Sequence, residues 1–455
     1  MVVEQLDLLI KGGSVVWKDE VAVMDIGIRD GRIVQLGRSL EEACAASIVS
    51  AEGLTVMPGM VDVHVHLNEP GLGDWEGFES GSAALAVGGC TTYVDMPLNG
   101  IPPTVSVAAM ELKLAAAAGR SHVDYALWGG LVPGKLHELA ALSEAGVVGY
   151  KAFMSSPGDP SEDAFREVDD YTLLEGMKII AGLGKVLALH AESEPIVARL
   201  GAQQRAAGKL SPRDYAESRP IIAELEAINR ALFYAEQTGC ALHFVHISSA
   251  AGVRAIRDAA DRGMDVTLET CPHYLVLAME DMERLGPVAK CSPPLRPLPE
   301  RELLWEALAA GDIDMVSSDH SPCPASLKEA GHFFDAWGGI AGAQSSLELL
   351  IGEGHVKRGI PLPLLSRLLS GAPARRFGLG GDKGEIRLGA AADLALVDLN
   401  AAYTLSADQL RQRHKHSPYI GRTMHCQVQL VYLGGRMVYD RQTGLSEKKL
   451  GSWVK

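Results

Sequence analysis

No run of apolar residues in this chain is long enough to span a bilayer, and no basic segment precedes an apolar one at its start. Met1 to Gly13 carries Glu4, Asp7 and Lys11 instead, so neither a secretory leader nor a membrane anchor is expected. Positive charge is also in short supply. The 42 Lys and Arg residues against 57 Asp and Glu leave a net charge of −15, which offers no field for nucleic acid or an anionic membrane. The seven cysteines are an odd number, scattered without paired spacing. Free thiols in a reducing compartment, the cytoplasm, are the expectation. Low-complexity tracts and short-period repeats are absent. What remains is the composition of an ordinary globular enzyme, 47% apolar and 22% charged over 455 residues. That length suits one large domain and a smaller one.

Two rhythms divide the chain. Residues 1–54 read as short strands (Leu6–Ile10, Ser14–Trp17, Ala22–Arg29, Arg32–Leu36), with Asp30-Gly31 as a hairpin signal. From residue 55 to 378, apolar strand-like runs alternate with helical stretches. The strands are expected at Met60–His66, Thr91–Asp95, Val123–Trp128, Val148–Phe153, Val186–His190, Ala241–Ile247, Asp265–Thr270 and Asp314–Ser318. Helices are expected at Thr104–Ala118, Ile222–Thr238, Ala251–Arg262 and Pro299–Ala310, among others. Eight strand–helix units predict an α/β fold, a parallel (β/α)8 TIM barrel. Residues 379–455 return to strands, at Gly384–Leu388, Ala392–Asp398, Val428–Leu433 and Arg436–Tyr439, with Gly434-Gly435 at a turn. The economical arrangement is a small β-sandwich domain built from both termini, with the barrel inserted between them.

Within the first barrel strand, Val61-Asp62-Val63-His64-Val65-His66 places two histidines two residues apart. Side chains alternate along a strand, so His64 and His66 share a face. Such a pair serves either as metal ligands or as hydrogen-bonded core residues. The other strand ends decide between these, because barrel active sites form at the C-terminal ends of the strands. Strand four carries Lys151, strand five ends at His190, strand six at His246, and strand eight at Asp319. A strand-end histidine, lysine or aspartate alone is most often a packing, solvating or capping residue. Their joint occurrence at one end of one barrel points to a metal site.

The lysine requires its own explanation, because an ammonium is not a ligand. Desolvation beside cations lowers the pKa of an amine. The neutral amine adds carbon dioxide to give a carbamate, a carboxylate on a long arm able to bridge two cations. That carbamate, Asp319 and a shared hydroxide would offset most of the charge of two divalent ions. The site would stay mildly electrophilic and suited to polarising a carbonyl.

The order His64-x-His66, Lys151, His190, His246, Asp319 on a barrel flanked by a split β domain resembles the cyclic amidohydrolases: dihydroorotases, hydantoinases, dihydropyrimidinases and allantoinases. The resemblance spans essentially the whole chain. It implies a binuclear centre in which carboxylated Lys151 bridges two divalent ions. His64, His66 and Asp319 would hold one ion, and His190 and His246 the other. Zinc is the first expectation, with cobalt, manganese or iron as alternatives. The family also implies a homotetramer. A non-catalytic relative that keeps only the barrel is a competing reading, but such proteins lose metal ligands and this chain retains all six.

Local runs bear on the substrate. Asn68, in His66-Leu67-Asn68-Glu69-Pro70-Gly71, stands where dihydroorotases place an arginine to grip a carboxylate. Met96-Pro97-Leu98-Asn99 likewise departs from the dihydroorotase pattern. Lys151-Ala152-Phe153-Met154-Ser155-Ser156 lacks the tyrosine of hydantoinases and dihydropyrimidinases. The runs around Trp128–Gly134, Glu269–Leu275, Cys291–Arg296, Ser317–Cys323 and Ala336–Gly342 are similar to the allantoinase subgroup. That similarity implies hydrolysis of the neutral hydantoin ring of allantoin to allantoate, with a hydantoinase or dihydropyrimidinase activity as the alternative. Main-chain groups of Ser292 and Gly338 are expected to hold the ring, and Asn68, Asn99, Ser155, Ser321 and Cys323 to line the pocket. Asp319 is expected to act as general base and then general acid. His273 and His320 are expected to be hydrogen-bonded structural residues, and Cys271, Cys291 and Cys323 small packing residues.

Overall fold

The computed structural model describes residues 5–158, 161, 164–379 and 381–455. Met1 to Glu4, where the terminal β domain was expected to begin, lie outside the described residues. The chain opens with β1 (Leu8–Trp17), β2 (Glu20–Arg29), β3 (Arg32–Gly37), β4 (Ile48–Ser50) and β5 (Thr55–Pro58). Asp30 and Gly31 turn the β2–β3 hairpin with φ of 50° and 74°, the left-handed conformation that a tight two-residue hairpin requires.

The barrel follows. Its strands are β6 (Met60–Val65), β7 (Cys90–Asp95), β8 (Asp124–Leu127), β9 (Gly129–Gly130), β10 (Gly149–Phe153), β11 (Val186–His190), β12 (Ala241–Phe244), β13 (Val266–Thr270) and β14 (Met315–Val316). All neighbours pair in parallel. β8 and β9 are one strand position interrupted at Trp128, whose backbone N–H donates to the Asp95 carbonyl at 3.1 Å while its indole Nε1–H donates to the Val63 carbonyl at 2.9 Å. The ring closes where Val65 pairs with His320 and the His66 N–H donates to the His320 carbonyl at 2.8 Å. Helices on the outside supply apolar stripes. Helix Ile221–Thr238 buries Ala223, Ala227, Ile228, Ala231, Leu232 and Ala235, spaced for one face. Helix Ala250–Asp261 is started by Ser249, whose hydroxyl accepts from the Gly252 N–H.

The last third adds β15 (Leu394–Asp398), β16 (Tyr403–Thr404), β17 (Thr423–Met424), β18 (Gln427–Leu433), β19 (Arg436–Asp440) and β20 (Gly444–Leu445). Nine strands from both ends of the chain form one sheet in the order β20-β19-β18-β15-β5-β1-β2-β3, with β4 also on β1. Its two halves meet where β15 runs antiparallel to β5, and Leu8, Ile26, Ile28, Val56, Leu394 and Leu396 share one buried cluster.

Leu6–Ile10 and Ser14–Trp17, expected as two strands, are the single strand β1, with a register shift against β2 between Ile10 and Gly13. Three further expected strands are corrected. Gly384–Leu388 is a series of bends, set between Gly384 and Gly389 at φ of 83° and 82°, with Leu388 60% exposed. β12 stops at Phe244 instead of Ile247, because His246 takes a φ of 42° that no ladder accommodates. β14 is two residues long instead of five, because Ser317 and Ser318 turn to side-chain partners. The Ser317 hydroxyl donates to Glu269 at 2.8 Å, and the Ser318 N–H donates to Asp62 at 3.1 Å.

Candidate metal centre and substrate cavity

The barrel brings all six expected ligands to one end. His64, His66 and Asp319 form the tightest group, their ligand atoms all within 4.8 Å of one another. The Nε2 atoms of both histidines lie 3.2 Å from Asp319 Oδ1. On the other side, His190 Nδ1 and His246 Nε2 are 2.9 Å apart. The His64 and His246 rings, 5.5 Å apart, join the two groups.

Carboxylates outside the ring of ligands select which nitrogen faces inward. Glu269 Oε1 accepts from His64 Nδ1 at 2.5 Å, which leaves the Nε2 lone pair toward Asp319. Glu192 Oε2 accepts from His190 Nε2 at 3.0 Å, which leaves Nδ1 toward His246. Both acids are buried, and burial alone would favour their neutral form. For Glu192, the Arg219 guanidinium and His190 outweigh burial and bring the carboxyl down to about 2. For Glu269, His64 and His243 do the same and hold it well below the carboxylate range. Asp319 is also held low: burial opposes ionisation, but His64 and the hydrogen bond from His66 prevail.

Lys151 sits on β10, fully buried, with no hydrogen-bond partner for its Nζ among the described residues. Burial pulls its pKa down to about 7, against the opposing pull of Glu269 and Asp319. It lies within electrostatic reach of His66, His190 and His246, and so of both histidine groups. An orphaned buried amine is costly, and this one stands where a carbamate could serve both sides. Burial also lowers His66 to about 4, and it holds His246 well below its usual range, so these imidazoles are neutral donors at ordinary pH. The donor set, neutral imidazoles with oxygen ligands, fits divalent transition ions. His246 and Asp319 both carry positive φ, 42° and 45°, a strained conformation that clusters at functional sites.

A cavity of about 550 Å³ opens onto this group. Its wall includes His64, His66, His190, His246 and Asp319, together with Asn99, Ser292, Ser321 and Gly338. Asn68, Ser155 and Cys323 lie outside the wall. Asn68, at φ of 65°, shapes a turn: its carbonyl accepts from the Leu72 N–H, and its amide donates to the Pro322 carbonyl at 3.3 Å. Ser155 is buried, with no partner for its hydroxyl among the described residues. Cys323 is fully buried, and its carbonyl accepts from His416. Cys291, expected only to pack, does reach the wall. The six cysteines whose side chains are described are free and buried.

His320 is buried and hydrogen-bonded through one ring nitrogen. Its Nδ1 accepts from the Gly342 and Ala343 N–H groups, and its Nε2 faces Glu76 at 3.5 Å. His273 is buried beside Tyr274 with neither ring nitrogen partnered among the described residues, so the expected hydrogen bonds are not found. Sequence reasoning missed Glu192, Arg219, Tyr215 and Lys290. Tyr215 OH meets Ser292 Oγ at 2.5 Å, and Arg219 pairs with Glu192 at the cavity edge. The runs containing Glu269 and Trp337 were visible as signatures, without their roles.

The family model described as "Amidohydrolase family" matches residues 55–438. An allantoinase of Rubrobacter xylanophilus is 49% identical, over 95% of this chain and 94% of that protein. An allantoinase of Bacillus velezensis is 46% identical, over 99% and 97%. Among solved structures, L-hydantoinase (dihydropyrimidinase) from Arthrobacter aurescens superposes with a TM-score of 0.95 at 35% identity, covering 99% of this chain and all of that one. Dihydropyrimidinase from Brevibacillus agri gives 0.90 at 29% identity, covering 98% of each. With the match running from β5 of the terminal sheet through the whole barrel and back into that sheet, and full-length relatives sharing nearly half its residues, the chain belongs to the amidohydrolase family.

Proposed function

We propose that this protein hydrolyses the ring amide of allantoin to give allantoate. The observation that carries the substrate is full-length similarity to curated allantoinases at 49% and 46% identity. The site agrees with it. Allantoin is neutral and rich in amide groups, and a cavity offering Asn99, Ser292, Ser321 and the Gly338 backbone supplies hydrogen bonds in place of a counter-charge.

Two divalent ions, zinc first among the candidates, would be held by His64, His66 and Asp319 on one side and by His190 and His246 on the other. Lys151 would be shared between them as its carbamate, formed when the neutral amine adds carbon dioxide and releases a proton. Such ions polarise a carbonyl and lower the pKa of water toward neutrality. Asp319 takes the proton of the attacking water and hands it to the departing ring nitrogen, acting as base and then as acid. Glu269 and Glu192 keep the histidines oriented while this happens. A homotetramer in the cytoplasm completes the reading; no helix among the described residues is long and apolar enough to cross a membrane.

A second reading, hydrolysis of another hydantoin or of a dihydropyrimidine, draws on the likeness to the Arthrobacter aurescens L-hydantoinase. Assaying the metal-loaded enzyme on allantoin, hydantoin, dihydrouracil and dihydroorotate separates the two. Allantoin is expected to give the highest kcat/KM, and a preference for hydantoin or dihydrouracil would overturn the first reading. Asp319→Asn is expected to abolish turnover across the pH range; substantial retained activity would remove the proton-transfer role.

A further inference from the structure

Segment 333–339 has no helix or strand of its own, and its residues 334–339 form one wall of the cavity. Backbone groups outside a ladder need other partners. Here four carbonyls of the segment converge on two lysine amines. Lys290 Nζ donates to the carbonyls of Phe334 at 2.9 Å and Ala336 at 2.6 Å. Lys328 Nζ donates to those of Trp337 at 2.8 Å and Gly339 at 2.7 Å. Both side chains are buried, and these hydrogen bonds of each Nζ go to backbone carbonyls. A buried lysine amine left without hydrogen-bond partners is costly whether or not it is charged, and the carbonyls of the segment supply those partners. Lys290 holds on through its main chain as well, its carbonyl accepting from the Gly339 N–H at 2.9 Å. Its Nζ also rests 4.6 Å from the centre of the Tyr215 ring, a cation–π contact that fixes the lysine arm. Between the two anchor points lies Gly338, which faces the cavity.

We propose that Lys290 and Lys328 are positioning residues that clamp segment 333–339, and with it the Gly338 backbone, at the place where the substrate ring binds. The inference rests on the cavity being the substrate site. Neither lysine is needed for the proton transfers, so their loss should weaken binding more than chemistry.

The test compares K290M and K328M with the metal-loaded wild type, reading kcat, KM for allantoin, metal content and amide hydrogen exchange across 333–339. Each variant is expected to raise KM about tenfold with kcat changed less than about threefold. Metal content should hold and the segment should exchange faster. K328R, which restores a cationic donor, should recover most of the loss. Lys328 lies outside the cavity wall, so K328M carries the test if K290M does not fold. A folded K328M with unchanged KM overturns the proposal, whether or not its exchange changes. A wild type inert toward allantoin would instead sink the substrate reading, and the exchange data would still decide whether the clamp exists.

Discussion

Glu269 Oε1 lies 2.5 Å from His64 Nδ1, and this contact sets which nitrogen of His64 faces Asp319. The same carboxylate accepts from His243 at 3.2 Å and from Ser317 at 2.8 Å, so it is itself held on three sides. A carboxylate behind a ligand histidine raises its basicity and fixes its orientation, and losing one typically costs about 10–100-fold in metal affinity. Glu269→Gln should therefore release metal at competitor concentrations that leave the wild type loaded. Chelator titration followed by elemental analysis measures this; equal retention in the two proteins would detach Glu269 from the metal site.

Lys151 would have a different dependence, because in the proposed centre its ligand atoms come from carbon dioxide. Lys151→Ala should bind little metal, and a small carboxylic acid supplied in solution should restore part of the activity by occupying the space the side chain leaves. Reconstitution of metal-free wild type should also go faster with bicarbonate present. Full metal content in the alanine variant, measured after gel filtration, would contradict a bridging role.

How much of this was legible in the sequence depends on the range of the signal. His64 and His66 could be read because strand alternation is a two-residue rule, and Val186–His190 forms its strand as expected because a parallel strand buried on both faces is apolar throughout. His190, His246 and Asp319 could be singled out from their places at or just past expected strand ends, and Lys151 from its place on the fourth strand. Glu269 as the partner of His64 did not, since the two are 205 positions apart and nothing local states that they meet. The same holds for Lys290 and Lys328, ordinary lysines whose targets are carbonyls. Carbonyls are common to every residue and leave no trace in the sequence. Strand ends were overestimated where function bends the chain, as at His246 and at Ser317–Ser318.

Glu348 makes a prediction about stability. It is buried where the barrel meets the terminal sheet, accepting from the Tyr403 hydroxyl at 2.6 Å and the Val428 N–H at 2.7 Å. Burial raises its carboxyl from 4.5 to about 7, against the pull of those two donors. A carboxyl raised on folding favours the folded state fully below its unfolded value and loses that contribution as pH rises through the folded one. Between pH 4.5 and about 7 the loss is on the order of 3 kcal/mol. Glu348→Gln stays neutral throughout, so relative to the wild type it should gain thermal stability as pH rises from 5 to 8. A difference in Tm independent of pH would show that Glu348 does not titrate in this window.

Two adjacent glycines on the cavity wall should respond in opposite ways to alanine. At Gly338 a Cβ would meet nothing nearer than Ser292 Oγ at 3.6 Å, with Lys290 Cε and Tyr215 OH at 4.0 Å. The protein has room for that methyl, and the space it takes belongs to the cavity. At Gly339 a Cβ would fall 2.5 Å from the Ser321 carbonyl oxygen, so the backbone would have to move. Gly338→Ala should thus fold with an unchanged Tm and a KM for allantoin raised about tenfold or more, the scale on which one extra carbon in a fitted pocket is felt. Gly339→Ala should lose stability and activity together, because Ser321 leads back to Asp319 only two residues away. Thermal melts and steady-state kinetics on the pair decide the matter. If Gly338→Ala binds allantoin as well as the wild type, the substrate ring does not rest against this part of the wall.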